Sequence, residues 1–89
     1  MAAKRTAPPP LFEALLVDYL KQGAVSELVV VEETPGVYRL EALLTWRTER
    51  SVLFAARGDV RRWHRLDTLA RFFRSVGVGR TAIRLELLA

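Results

Sequence analysis

Residues 25–47 constrain the fold more than any other part of the chain. SELVVVEE is β-branched and apolar, and VYRLEALLTWR alternates: Tyr38, Leu40, Ala42, Leu44 and Trp46 share one face, Arg39, Glu41, Thr45 and Arg47 the other. A period of two over that length is the pattern of a half-buried strand. Between the two runs stand Pro35 and Gly36, which suit the central positions of a type II turn. After the polar turn TER, SVLFAAR reads as a third strand, so the three predict an antiparallel meander. Gly58 and Asp59 then break the ladder.

Two amphipathic helices flank the meander. Leu11, Phe12, Leu15, Leu16, Tyr19 and Leu20 recur at helical spacing over residues 10–22, with Pro10 at the first position and Gly23 as the cap. The second helix is expected over 66–76, with a buried stripe of Leu66, Leu69, Ala70, Phe73 and Val76, and Asp67 in its first turn. Gly77 and Gly79 close it, and Ile83, Leu85 and Leu87 alternate with Arg84 and Glu86 in a last strand. The order is α-β-β-β-α-β, an α+β two-layer sandwich with a mostly antiparallel sheet and both helices on one face. The second helix is expected to pack through Leu66, Leu69 and Phe73 onto Leu40, Leu44 and Phe54. Residues 1–9 read as a disordered basic and proline-rich tail, and 10–89 as a single domain. If helices cover one face, Val29, Val31, Leu43 and Leu53 are left on the other as exposed aliphatics, the mark of an interface and here of a homodimer formed through these residues or through a sheet edge.

Composition excludes more than it assigns. No cysteine is present, which removes disulfides, thiolate metal sites and thiol nucleophiles. His64, the only histidine, sits among arginines without a partner at ligand spacing, and no glycine-rich phosphate loop or nucleophile elbow occurs. The expectation is a protein that is no enzyme and takes no cofactor, metal or small molecule. Glu13 and Asp18 interrupt the first apolar stretch, so no membrane span or leader is expected and the chain reads as cytoplasmic.

Charge reverses partway along. Residues 11–49 hold three basic and seven acidic side chains, a net of −4, whereas residues 57–84 hold eight arginines against Asp59 and Asp67, a net of +6. Such asymmetry speaks to partners: something acidic, or another copy. The candidate site is RGDVRRWHRLDTLARFFR. There Arg61, Arg62, Arg65, Arg71 and Arg74 would form a basic strip for phosphates or an acidic protein. Trp63 would stack on a base, anchor a partner, or plug the start of the second helix. If glutamates of the acidic half lie within reach, the strip becomes a set of ion-pair partners instead.

Two resemblances accompany these residues. The α-β-β-β-α order over 10–76 looks like a double-stranded-RNA-binding domain in topology, which implies direct nucleic-acid contact. However, RLDTLARFFR lacks that family's lysine-rich opening of the second helix, and a further strand follows. A strand ending LTW at Leu44 to Trp46, a return ending at Arg57 and Gly58, and RxWxxLDTLARF from Arg61 to Phe72 resemble the small ParC-like partition-associated proteins of plasmids and integrative elements. That resemblance implies a non-enzymatic accessory factor of a mobile element, acting by self-association and by contact with partition machinery, and it carries over no catalytic residue.

Overall fold

The computed structural model describes residues 9–89, so most of the expected tail lies outside the described residues. The elements are β1 (Pro10–Phe12), α1 (Glu13–Lys21), β2 (Val25–Thr34), β3 (Val37–Leu44), β4 (Arg50–Phe54), β5 (Arg62–Trp63), α2 (Leu66–Val76) and β6 (Ala82–Glu86). The strands form one sheet in the order β1-β4-β3-β2-β6, with β5 pairing the far end of β3. The class is α+β as expected, but the order gains two strands, and the sheet is mixed rather than mostly antiparallel. The β2–β3–β4 meander is antiparallel, while β1 runs parallel to β4 and β6 parallel to β2.

The extra first strand has a local cause. A residue that precedes proline is pushed out of the helical region, so Pro9 holds the chain extended. Its carbonyl accepts the Val52 N–H at 3.1 Å, and Pro10–Phe12 continues beside Val52–Phe54. The helix therefore starts at Glu13 instead of Pro10. Glu13 in its first turn and Lys21 in its last complement the helix dipole.

Register decides which face each strand residue takes. Leu28 lies opposite Ala42 and Val30 opposite Leu40, and these pack with Leu11, Leu16, Leu44, Leu53, Trp63, Leu69, Phe72 and Val76 in one core beneath both helices. Ser51 lies opposite Ala42 and Val52 opposite Glu41, so Ser51 and Leu53 point to the helices and Val52 and Phe54 to the uncovered face. This inverts the face expected for Leu53 and Phe54: Leu53 is 1% exposed in the core. The run SVLF is apolar on both faces, so alternation alone could not set its parity.

Helix α2 occupies the expected residues, with Gly77 capping it at φ 80°, a left-handed conformation that favours glycine. Its buried face is Leu69, Phe72 and Val76, rotated from the expected stripe. Leu66 is exposed, and Phe73 is only partly buried against the core. Trp46 also leaves the expected core face: β3 ends at Leu44, and the exposed indole packs edge-on to Tyr19 at 4.9 Å. Phe72→Ala should destabilise the fold by about 3–5 kcal/mol and Phe73→Ala by less than half as much. Urea denaturation of both variants checks this, and equal losses would restore Phe73 to the core.

Candidate interaction surface

β5 and the turn before it separate the arginines that the sequence places side by side. Along an extended chain, neighbours point to opposite faces. Trp63 pairs with Tyr38 and Arg62 with Arg39, so the indole turns to the helices and Arg62 to the uncovered face. Trp63 is 8% exposed, its ring 5.1 Å from that of Phe72. It is a core residue and cannot stack on a base. Arg61 shares its side of the sheet: the guanidinium lies 5.0 Å from the Trp63 ring and 4.5 Å from the Phe72 ring, and Nη1 donates to Glu13 Oε1 at 2.9 Å. Cation–π contact and ion pair together hold it against the protein.

The remaining arginines are distributed likewise. Arg62 donates to Glu33 across the sheet. Arg65 grips Asp67 with Nε and Nη2 at 2.8 and 3.0 Å, and Arg71 reaches the same carboxylate at 3.7 Å from one turn away. The Arg65 bond, aided by the Thr68 N–H, holds the Asp67 carboxyl down at about 2. Of the five expected strip arginines, Arg74 alone has no ion pair among the described residues.

The uncovered sheet face is carpeted by charge. Arg62, Glu33, Arg39, Glu41, Arg50 and Glu86 form a continuous alternating chain of ion pairs from β5 through β2, β3 and β4 to β6. Glu41 is its centre, 7% exposed, with Oε2 accepting Arg39 Nε at 2.7 Å and Oε1 accepting Arg50 Nη1 at 3.2 Å. Arg50 then closes onto Glu86 through both terminal nitrogens, at 3.1 and 2.8 Å. The guanidinium of Arg50 is raised above its ordinary value, first by Glu86 and then by Glu41. Burial alone would lower Arg39, but Glu41 and Glu33 outweigh it and raise the group. Arg84 pairs separately with Glu27 at 3.2 Å.

This carpet shelters the aliphatics expected to form a patch. Val29 lies opposite Glu41 and Arg84 and is 0% exposed; Val31 and Leu43 are half-buried. With Val29 and Leu53 buried and Val31 and Leu43 half-buried, none of the four is an exposed side chain. Open apolar surface lies elsewhere, at Phe12, Leu15, Trp46 and Leu66 and, as a run along the chain, on and just beyond β6. Ile83 and Leu85 sit opposite Leu28 and Val30 on the helix side, yet no helix covers them, and they are exposed with Leu87 and Leu88. A groove of about 210 Å³ lined by Ala70, Phe73, Arg74, Val78, Gly79 and Ile83 runs between α2 and this strand. The alternation of Ile83, Leu85 and Leu87 was legible as a strand, but nothing local says that its apolar side stays uncovered.

Among the described residues, no group of three His, Cys, Asp or Glu is placed to hold a metal, and no helix is long and apolar enough to cross a membrane. No family model matches the chain, and no curated protein and no solved structure matches it either.

Two outcomes are expected from the charged face. Glu41→Gln should cost about 1.5–3 kcal/mol, the range for hydrogen bonds to charged groups, because the amide keeps one neutral acceptor oxygen and turns N–H donors toward the second arginine; Glu49→Gln, at an exposed position, is the control in the same chemical denaturation. The second outcome concerns acid. Glu33 is held below its ordinary value of 4.5, first by Arg62 and against partial burial, with Arg39 adding to the effect, and Glu86 is held down chiefly by Arg50. A depressed folded-state value means stability that is present above pH ~4.5 and lost as pH falls through the lowered values. The melting temperature should therefore hold steady above pH ~5 and drop below ~4.5, and Glu33→Gln should flatten that drop.

Proposed function

We propose that this chain is a small non-enzymatic accessory module that works by protein contact, self-association included, through the apolar rim of β6 and α2. The observation that carries this reading is the contrast between the two candidate surfaces. Four of the five strip arginines are engaged by carboxylates, so a phosphate at Arg61, Arg62, Arg65 or Arg71 would compete with Glu13, Glu33 or Asp67. The aliphatics of β6 have no such occupant, and large apolar side chains left together in water are the usual sign of a contact surface. The partition-associated resemblance of Leu44 to Phe72 fits this role: under it, the module serves the maintenance of a mobile element beside its partition ATPase and centromere-binding protein. Direct nucleic-acid contact is the second reading, favoured by the Arg74 side chain and a formal charge of +4.

The two readings separate in one pair of measurements. A photo-cross-linking phenylalanine analogue in place of Leu87 should give protein adducts in the native host, while the same group in place of Lys21 should not. Mobility shifts with duplex DNA, duplex RNA and single strands at ~50 mM salt should show no complex. A complex that weakens steeply by ~200 mM salt, together with nucleic-acid adducts at position 87, would reverse the assignment.

A further inference from the structure

The two ends of the sheet are finished differently. β1 is three residues long and begins at proline, which has no N–H to offer a further strand; short length and proline are common protections of a sheet edge. β6 has neither. Its five residues contain no proline or glycine, its register against β2 runs unbroken from Ala82 to Glu86, and among the described residues nothing pairs with its outer side. An unprotected edge is a template for another strand.

The sequence of this edge states which strand. Ile83, Arg84, Leu85, Glu86 and Leu87 are complementary to their own reverse about Leu85. We propose that β6 pairs antiparallel with β6 of a second copy about a two-fold axis at Leu85, joining two sheets into one. In that register Arg84 stands opposite the partner's Glu86 on the charged face, twice by symmetry. On the other face Leu85 meets the partner's Leu85, and Ile83 meets the partner's Leu87. Opposite charges directly across antiparallel strands are stabilising and like charges destabilising, so this register is favoured over its neighbours. A slip by one residue would place the arginine against an aliphatic residue and turn each apolar side chain toward the charged face. Arg84 already reaches Glu27, and Glu86 reaches Arg50. The dimer thus extends both ion-pair systems across the axis and sets the exposed side chains of Ile83, Leu85 and Leu87 against those of the second copy, reducing their contact with water. The proposal rests on the protein-contact reading and specifies its partner.

Sedimentation equilibrium at ~50 µM should give about twice the chain mass of 10.1 kDa. R84E places two glutamates opposite two glutamates, and E86R two arginines opposite two arginines, so each variant alone should weaken the dimer about tenfold or more. Mixed in equal amounts they are complementary, and the heterodimer should form. Circular dichroism confirms that each is folded. Because both substitutions also disturb Glu27 and Arg50, Leu87→Asp, just beyond the strand, serves as a second variant and should likewise give monomers. A monomeric parent at that concentration, variants that dimerise like the parent, or a mixture that stays monomeric would each overturn the inference. A monomer that still cross-links to another protein through position 87 would do so while leaving the contact reading in place.

Discussion

A carboxylate in the middle of a sheet must be paired, and Glu41 organises one whole face of this protein around that requirement. It lies on the central strand β3, almost without solvent, and an ionised group in that position is tolerated only when its hydrogen-bonding capacity is met. Arg39 and Arg50 meet it, and each of them then engages a further glutamate. Val29 and Val52, each opposite Glu41, are buried on this same face, where long arginine stems can cover apolar surface while their heads stay in the charged layer. A second layer of helices is thereby made unnecessary. Eighty-nine residues can supply helices for one side of a six-stranded sheet, and side chains cover the other.

The same face accounts for part of the charge reversal along the chain. Glu33 and Glu41 belong to the acidic half, and Arg62 to the basic half, yet the sheet brings them into one network. Glu13 and Arg61 join the two halves on the helix side. Arg61, Arg62 and Arg84 of the basic half thus pair with glutamates of the acidic half, and for these three the segregation of charge in sequence helps fold the two halves together. Arginine suits the task better than lysine, since its planar fork can bridge two carboxylates at once, as Arg39 and Arg50 do.

What could be read from the chain in advance divides along physical lines. The β2–β3 hairpin, the extent of α2 and the glycine that ends it were legible, because alternation, helical spacing and a left-handed glycine are local signals. Phe72 and Phe73 show the limit. Both are adjacent to the apolar stripe, and only the placement of Trp63 against the helix selects Phe72. β1 and β5 were invisible because three-residue and two-residue strands exist only through their partners β4 and β3. The arginine segment divides for a related reason: residues 61–63 are extended, so Arg61 and Arg62 diverge, a fact set by the pairing of Trp63 with Tyr38 rather than by composition. The uncovered side of β6 depends on where both helices end, which no local window contains.

The parallel pairing of β2 with β6 joins segments more than half the chain apart. Such a pair carries the entropic cost of closing a long loop. Without it β2 would be the edge of the meander, with Leu28, Val29, Val30 and Val31 lying along an unpaired ladder. That is an aliphatic, β-branched run of the kind that recruits other chains. In the folded protein β6 covers that run along the whole of its ladder from Glu27 to Val31, and the bond from Leu88 to Glu32 fastens it beyond the last pair.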